Sequence, residues 1–452
     1  MRRFSTAAAK ALAALRRVDD PLLRKTTRPR DVVSTGLAEV SPRPDGSLAV
    51  SLDVRTAAHP RARDVAEACS AAIEHSGCGG VEVDVTLRAS GFGAAVGAAD
   101  GLARVRSCVA VASCKGGVGK STVCANLAFA LAAKGARVGV VDADVHGPSV
   151  PTLLGLEDAT VEASPAGGGL ALPVEHRGVR FASAGFANVR SASGGGALRG
   201  PLAGRVAQGL FSRTDWGELD YLLVDLPPGV GDVTLAVCAE VAVEGAVLVT
   251  TPSRLARADV VRGLALQDEL GVPTLAVVEN MAVFNCDNCG EAARPLGDGH
   301  AFELAAKAGV GADGVFELPL DARLAAANET GGVGANVRRP AAFAALADRI
   351  VEEVYNAMHA RKDRLIDVRY DASANVVRVR RFLDGAADEF PLSVEALRKA
   401  RGRAAPADAT PTRVALVGNR SVVFDWSDRV RDDVFSVDEL LEMCAKGSGA
   451  AG

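Results

Sequence analysis

Short apolar runs alternate with stretches of helical periodicity through the middle of the chain, from residue 106 to residue 359. The runs are five or six residues long and rich in Val, Leu and Ala, which is typical of strands buried on both faces of a parallel sheet. Residues 120–134 predict a helix that follows the first of these strands. The predicted strands are Val109–Ser113, Arg137–Asp142, Tyr221–Asp225, Ala246–Thr250 and Thr274–Glu279. The pattern predicts an α/β domain with a mostly parallel sheet over residues 106–359.

Two smaller modules flank this block. Residues 48–55 and 81–87 alternate apolar and polar positions on either side of a helical segment, which predicts a small α/β domain over residues 19–90. Residues 91–105 are rich in Ala and Gly without periodicity and are interpreted as a linker. Alternating segments return as antiparallel pairs further on, so residues 360–446 are predicted to form a small α+β domain. The expected fold class is therefore a central parallel sheet domain flanked by two small α+β domains.

Residues 1–18 are open to two interpretations. Their basic residues all precede the first acidic residue, Asp19, and a serine lies among them. An acid-free start that carries Arg and Ser is typical of an organelle transit peptide. The apolar residues Leu12 and Leu15 fit equally well on the core-facing side of the first helix of the first domain. A targeting stub and a first helix both remain open for this segment.

The composition excludes several classes of function. The 452 residues include 51 Lys and Arg against 55 Asp and Glu, for a net charge of −4. Because the chain has no basic excess, no nucleic-acid partner is expected. No run of eighteen or more apolar residues occurs, so no membrane-spanning helix and no membrane partner are expected. Nine cysteines in a chain of this length do not form a disulfide framework and indicate a reducing compartment.

The sharpest chemical motif is CKGGVGKST, which lies between a predicted strand and a predicted helix. Glycines at this spacing let backbone N–H groups turn towards phosphate oxygens at the N-terminus of the helix. Lys120 would neutralise phosphate charge and Ser121 would bind Mg²⁺. Cys114 stands where the general pattern has glycine, and a second lysine, Lys115, marks a variant form of the loop. The residues assigned to the nucleotide are Gly116, Gly117, Val118, Gly119, Lys120, Ser121 and Thr122, so the central domain is predicted to be a P-loop NTPase.

Carboxylates end two of the predicted strands. Asp142 and Asp144 close one strand, and Asp225 closes another. Because the carboxyl ends of parallel strands meet at one edge of a sheet, these side chains are expected beside the phosphates. Asp225 is predicted to hold a magnesium-bound water, and Asp232 follows as a further carboxylate of the same edge.

A second chemical feature is the CxxC motif formed by Cys286 and Cys289, with Gly290 directly after it. Two thiolates at this spacing chelate one metal, but they supply only half of a four-cysteine site. Two copies facing each other across a symmetric dimer would complete such a site. The spacing alone leaves structural zinc, a redox dithiol and an iron–sulfur cluster open, with zinc favoured.

Five segments occur in order along the chain: CKGGVGKST, DADVHGPSVPTLLG, VDLPPGVGD, VTTPSRLARADV and VENM. Together they resemble the Mrp/ApbC branch of the deviant-Walker P-loop ATPases, which are iron–sulfur cluster carrier proteins. The resemblance covers about residues 106–350. The first module is similar to the SufT-like assembly domain of many such proteins, and the last is similar to the extra C-terminal domain of the plastid form. A plastid stroma is therefore the favoured location, with the mitochondrial matrix and the cytosol as alternatives.

The resemblance implies catalytic roles for individual residues. Lys115 is similar to the signature lysine that reaches the partner subunit's ATP, and Lys120 is the lysine of the loop itself. Asp144 is similar to the residue that positions the attacking water. Asp142 and Asp225 fall on the Mg²⁺ shell of the family.

The resemblance also implies the cofactors and the partners. Asn280 falls where the family contacts adenine, and Asp321 falls where a second base contact is expected. Cys286 and Cys289 are implied to hold a [4Fe–4S] cluster between the two subunits of a homodimer, which reverses the preference for zinc. ATP and Mg²⁺ would drive the cycle, and apo iron–sulfur client proteins with an assembly scaffold would be the partners.

His59 departs from the SufT-like pattern, which has a cysteine before the proline at this place. Histidine binds iron in some proteins, but a lone histidine beside a proline is more often a surface residue. We therefore expect His59 at the surface, which puts a cluster role for the first module in doubt.

Two rival functions share parts of the pattern. A MinD/ParA-type positioning ATPase would carry the same loop and carboxylates, but it needs either a basic amphipathic membrane helix or a basic DNA-binding face. The last segment, SVDELLEMCAKGSGAAG, is acidic and too short for that helix, and neither type accounts for the CxxC motif. A zinc-stapled NTPase scaffold without a carrier role is the third alternative, and metal analysis separates it from a carrier.

Overall fold

The computed structural model divides into two compact units. The first comprises Met1–Cys238 and Val243–Asn356, and the second comprises Ala239–Ala242 and Ala357–Gly452. The structure describes residues 2–20, 23, 31–33, 37–43, 48–53, 56, 58–76, 83–88, 101–165, 167–186, 200–229, 234, 237, 241, 243–253, 272–286, 288–333, 341–362, 366–371, 374–383, 386–400, 410–417, 421–428, 433–436, 439–440 and 443–444. The predicted linker falls largely outside these residues, and so does Asp232.

The first unit carries twelve described strands and most of the described helices. The strands are β1 Ala38–Pro42, β2 Leu48–Asp53, β3 Val83–Arg88, β4 Cys108–Ala112, β5 Val138–Asp142, β6 Val174–His176, β7 Val179–Ser183, β8 Tyr221–Asp225, β9 Val243–Thr250, β10 Thr274–Asn285, β11 Ala292–Ala293 and β12 Val315–Pro319. The helices are α1 Arg2–Leu15, α2 Ala62–Glu74, α3 Lys120–Ala133, α4 Val150–Leu154, α5 Gly200–Ser212, α6 Ala301–Lys307, α7 Ala322–Glu329 and α8 Ala341–Lys362, the last of which ends in the second unit. In the part of the chain that the structure describes, no helix is long and apolar enough to cross a bilayer.

A nine-stranded sheet forms the centre of the first unit. Its order is β11-β10-β9-β4-β8-β5-β7-β6, and β12 also pairs with β10. The strands from β12 to β7 pair in parallel, while β6 and β11 add antiparallel partners. The predicted α/β fold with a mostly parallel sheet is confirmed. Strand β4, which leads into the glycine-rich loop, lies between β9 and β8 in the middle of the sheet.

Helix α3 follows the glycine-rich loop and is almost fully enclosed. Every residue from Val123 to Leu131 is buried, because the helix is apolar on all sides and packs between other elements of the unit. Small residues such as Ala125 and Ala128 let it approach the sheet closely. The first residue of the helix, Lys120, directly follows the glycine-rich loop that leaves strand β4.

The N-terminal residues of this unit build a small sheet with its own core. Strands β1 and β2 are antiparallel, and β2 and β3 are parallel. The core of this part includes Leu15, Val65, Cys69 and also Tyr355, which comes from helix α8. The Tyr355 hydroxyl donates a hydrogen bond of 3.0 Å to Asp20, so helix α8 is anchored in the N-terminal core.

His59 lies in this core and not at the surface, so that expectation was wrong. Only 4% of its surface is exposed, and its ring packs edge-on against Tyr355 with 5.5 Å between the ring centroids. Its Nδ1 accepts a hydrogen bond from the Arg61 backbone, and its Nε2 has no hydrogen-bond partner among the described residues. Burial, with a smaller contribution from the charge of Arg61, lowers the pKa of His59 from 6.5 to about 4.

This burial predicts an acid-sensitive stability. In the unfolded chain the imidazole takes up a proton below pH 6.5, whereas in the folded chain it does so only near pH 4. The stabilisation due to neutral His59 is present above pH 6.5 and is lost as the pH falls towards 4, by roughly 3 kcal/mol. Urea unfolding at pH 7 and pH 4 should show this loss in the wild type and a smaller loss in His59→Gln. Equal losses in both proteins would contradict the account.

The second unit contains two three-stranded antiparallel sheets around one core. Its elements are β13 Ile366–Asp371, β14 Val376–Leu383, β15 Ala386–Ser393, α9 Val394–Ala400, β16 Pro411–Val417, β17 Ser421–Trp426 and β18 Asp433–Ser436. Val377, Leu392, Leu397, Phe424 and Trp426 are buried in that core, which includes residues of both sheets.

Candidate functional site

The glycine-rich loop, residues 113–119, joins the central strand β4 to helix α3. Two of its glycines adopt left-handed backbone conformations, with φ of +77° at Gly117 and +83° at Gly119. Glycine enters this region without the steric cost that other residues bear. The loop is tied to strand β8 and its following segment, because the backbone N–H groups of Leu226 and Gly229 donate to carbonyl oxygens at Val111 and Ser113. These hydrogen bonds hold both ends of the connection against the central sheet.

The glycine at position 119 is required sterically as well as conformationally. A Cβ atom there would lie 2.3 Å from Nδ2 of Asn280, whose side chain is buried. We expect Gly119→Ala to weaken ATP binding about tenfold or more, since it adds backbone strain and a clash to the loop. Isothermal titration with ATP measures the effect, and unchanged affinity would contradict it.

Gly116→Ala is the matched control for folding. The Gly116 backbone is not left-handed, and a Cβ atom at this position would meet nothing within 4 Å. Its melting temperature should therefore match that of the wild type, whereas Gly119→Ala should melt at a lower temperature.

Lys120 and Asp225 form a buried ion pair at the start of helix α3. The Lys120 Nζ atom is in close contact with one carboxylate oxygen of Asp225 and lies 3.4 Å from the Ser121 hydroxyl. Asp225 is fully buried, and its other oxygen has no hydrogen-bond partner among the described residues. Burial raises the pKa of Asp225, while the positive charge of Lys120 opposes that rise.

Asp142 lies opposite Asp225 in the register of strands β5 and β8. One of its oxygens accepts hydrogen bonds from the Ser149 and Val150 backbones and from the Ser183 hydroxyl. The other oxygen accepts from the Asp144 backbone at 3.2 Å. Burial and the neighbouring Asp225 raise the pKa of Asp142 to about 7, against these hydrogen bonds. Asp142 thus fixes the loop that carries Asp144.

Asp144 is partly exposed and lies just beyond the carboxyl end of strand β5. Its Oδ1 accepts a hydrogen bond of 3.1 Å from the Gly147 backbone, which orients the carboxylate within its loop. Lys115 lies on the glycine-rich loop with an exposed side chain, while its backbone carbonyl accepts from the Ser113 hydroxyl. Two predicted site residues, Asp142 and Asp225, thus meet in the sheet, and Asp144 and Lys115 lie on the loops that follow it.

The two residues assigned to adenine have different surroundings. Asn280, in strand β10, donates a hydrogen bond of 2.9 Å to the Val118 carbonyl, so it touches the glycine-rich loop directly. Asp321 follows β12 and caps helix α7 by accepting from the Arg323 and Leu324 backbones. Both are partly or largely buried.

Cys286 and Cys289 form a tight loop just beyond strand β10. The Gly290 backbone donates 2.8 Å to the Cys286 carbonyl, and the Cys286 backbone donates 3.0 Å to Glu291. Gly290 has a φ of +73°, as expected of a turn that requires glycine. Cys286 is half-buried and Cys289 is exposed. Among the described residues, no group of three or more His, Cys, Asp or Glu side chains could hold a metal within one chain.

The residues at the loop fit a nucleotide with Mg²⁺. One oxygen of Asp225 has no hydrogen-bond partner among the described residues, which fits a group that holds a magnesium-bound water. Ser121 lies in the first turn of α3, partly exposed, where its hydroxyl can bind the ion. The glycine-rich loop between a central parallel strand and a buried helix, the lysine at the helix start and the carboxylates of the adjoining strands define a P-loop nucleotide-binding protein.

Comparison with known proteins gives the family. Residues 104–355, more than half of the chain, match the family described as ParA: NUBPL iron-transfer P-loop NTPase. The chain belongs to this family.

Similar proteins include carriers and assembly factors for iron–sulfur clusters. The chloroplastic Fe-S cluster assembly factor HCF101 of Oryza sativa subsp. japonica is 37% identical over 350 residues, which cover 73% of this chain and 63% of that protein. The chain thus spans less than two thirds of the length of this relative. The iron-sulfur cluster carrier protein of Deinococcus radiodurans is 38% identical over 343 residues, which cover 75% of this chain and 92% of that protein. A nucleotide-binding protein of Archaeoglobus fulgidus, solved with ADP, is 37% identical, covers 54% of this chain and 95% of its own, and superposes with a TM-score of 0.47.

Three positions around this site take part in features that the local sequence pattern does not predict. Ser183 contacts Asp142 from strand β7, which the pattern did not predict. Glu279 is buried and accepts a hydrogen bond of 2.8 Å from the His300 backbone. Met281 has a left-handed backbone with φ of 59° inside a strand. The first two depend on contacts between distant segments, and the third is a backbone angle that residue type does not indicate.

Proposed function

We propose that this protein is an ATP-dependent carrier that binds a [4Fe–4S] cluster between two subunits and transfers it to apo-proteins. The observation that carries the proposal is the presence, in one unit, of a complete phosphate loop and of a two-thiol loop on the same central sheet. Membership of an iron-transfer family and the names of the relatives support the same function.

ATP would occupy the loop from Gly116 to Thr122. Bound Mg²⁺ would neutralise charge on the transferred phosphoryl group, held by the Ser121 hydroxyl and through water by Asp225. Lys120 would leave Asp225 and turn to the phosphates, since both partners of the pair lie at the end of the loop. Asp144 would orient the attacking water, and Asp142 would keep the Asp144 loop in place.

Two subunits would share one cluster. Each chain supplies two thiols, Cys286 and Cys289, and a [4Fe–4S] cluster takes four. A two-fold axis beside the thiol loop would bring four thiolates together. The exposed Lys115 would reach the nucleotide of the partner subunit, so that ATP binding closes the homodimer and slow hydrolysis opens it.

The cargo would pass to apo iron–sulfur clients after loading from an assembly scaffold. Thiolate exchange at the exposed Cys289 offers an incoming client a route to the cluster. The similarity to a chloroplastic relative supports a plastid location.

Transfer to an apo-acceptor tests the proposal. Reconstituted protein is mixed with apo-aconitase, with an iron chelator present to capture released iron, and aconitase activity is followed with and without Mg·ATP. The carrier should activate the acceptor in proportion to the cluster that it loses, and faster with ATP. Activation no greater than that given by free iron and sulfide at equal concentration would overturn the proposal.

A further inference from the structure

Strand β10 joins the two sites of the molecule. It runs over twelve residues, Thr274–Asn285, and its first half is buried between β9 and β12. Asn280 on this strand contacts the phosphate loop, and Cys286 follows six residues later. Six residues span at most roughly 20 Å when fully extended. One continuous strand therefore connects the nucleotide loop with the thiol loop.

The contact at the nucleotide end is close. The Asn280 amide donates 2.9 Å to the Val118 carbonyl, and Asn280 is 8% exposed. A Cβ atom on Gly119 would lie 2.3 Å from the Asn280 amide nitrogen and 3.9 Å from the Met281 methyl group. A displacement of the Val118 carbonyl therefore moves Asn280 or breaks this hydrogen bond.

The strand is strained directly after this contact. Met281 has a φ of +59°, a conformation that costs energy for any residue with a side chain. Two other described residues other than glycine have positive φ, Arg177 and Asn375, and each lies in the turn of a hairpin. Met281 stands inside a strand instead, where the register with β12 shifts between Glu279 and Val283.

Strand β10, which leads to the thiol loop, makes contacts both before and after Met281. Beyond it, Phe284 and Asn285 pair with β11, and the Cys286 backbone donates to Glu291. Before Met281, the Glu279 carboxylate accepts a hydrogen bond from the backbone of His300, which belongs to the segment that follows the thiol loop along the chain. The backbone angle at Met281 thus sets the direction of the strand segment that leads to the thiol loop.

We propose that Asn280 and Met281 couple nucleotide occupancy to the exposure of Cys286 and Cys289. Asn280 follows the phosphate loop, and Met281 is a positioning residue whose strained backbone converts that movement into a turn of the distal strand. The role of this coupling in cluster transfer rests on the proposed function. The coupling itself is expected also in the protein that holds no cluster.

Thiol labelling measures this coupling directly. Apo-protein is treated with a maleimide, with and without Mg·ADP, and the labelling rates of Cys286 and Cys289 are read peptide by peptide by mass spectrometry. Mg·ADP fills the phosphate loop but lacks the γ-phosphate on which subunit closure is proposed to depend. Peptide resolution also separates these thiols from Cys114 in the loop itself.

In the wild type, Mg·ADP should change the labelling rate of the two thiols by about fivefold or more, the lower end of the range for coupled sites. Met281→Gly removes the strain and should reduce the change to less than about twofold, with ADP affinity within about threefold of the wild type. Met281→Leu keeps an unbranched Cβ and therefore the backbone strain, so it should retain the coupling.

Asn375→Gly is the matched control, because it relieves the same backbone conformation in a hairpin of the second unit. It should leave the nucleotide effect unchanged. A wild type whose thiols label equally with and without bound ADP, or a folded Met281→Gly that keeps the full effect, would overturn the inference. A protein that binds iron but shows no effect of ADP on thiol labelling would reject this inference and leave the carrier function standing. A protein that shows the labelling effect but binds no iron would reject the carrier function and leave this inference standing.

Discussion

Replacing Lys120 by alanine should lower the rate of ATP hydrolysis by about a hundredfold or more. The Lys120 side chain is 7% exposed at the first residue of α3, and it would turn from Asp225 to stabilise charge on the phosphates. The loss of one donor that stabilises developing charge typically costs two to three orders of magnitude in rate, or about 3–4 kcal/mol. Phosphate release under saturating Mg·ATP measures the effect.

Lys134→Ala is the control for this change. Lys134 directly follows the same helix, and its ammonium forms a partly exposed ion pair of 2.8 Å with Asp348. Because this pair lies at the opposite end of α3 from the glycine-rich loop, hydrolysis should stay close to the wild-type rate. Cluster transfer should also lose its response to ATP in Lys120→Ala alone. A Lys120→Ala protein that hydrolyses ATP or responds to it normally would show that this lysine is not part of the site.

Replacing both Cys286 and Cys289 by serine should abolish cluster binding. Each chain offers two thiolates for a cluster that takes four, so the double substitution leaves no cysteine ligand at the shared site. The absorbance of the reconstituted cluster and its circular dichroism should fall to the level of the protein before reconstitution. ATP hydrolysis should persist, because the thiol loop lies beyond the far end of β10.

Asn288→Ala is the matched control within the loop. Asn288 is exposed between the two cysteines and contributes no thiol, so its substitution should leave the cluster in place. If the double serine variant still bound a full cluster, the ligands would have to lie elsewhere, with Cys114 on the phosphate loop the first to be tested.

Local pattern predicted the centre of the fold because burial on both faces leaves a clear signal. Strands β4, β5 and β8 are buried almost throughout, and their apolar runs stand out in the sequence. Strands β6 and β12 have mostly half-buried residues, so they give neither a continuous apolar run nor strict alternation. Such strands are specified by their neighbours in the sheet and not by their own composition.

The candidate site also has one part that the local sequence encodes and another that depends on contacts between distant residues. The phosphate loop is encoded within nine consecutive residues, since its glycines and lysine act through local backbone geometry. The hydrogen bond from Asn280 to Val118 joins residues 162 positions apart, and the one from Ser183 to Asp142 joins residues 41 positions apart. His59 illustrates the limit most clearly, because Tyr355 of a distant helix packs against it in the core.

Iron, sulfide and zinc analysis of the wild-type protein after anaerobic reconstitution tests the central claim most directly, combined with its mass in solution. The account predicts about four iron and four sulfide per two chains, no stoichiometric zinc, and a dimeric mass. One zinc per two chains, or a protein that binds no metal while it still binds ATP, would contradict it. The chain would then be a nucleotide-binding member of its family in which Cys286 and Cys289 serve only to hold a structural loop together.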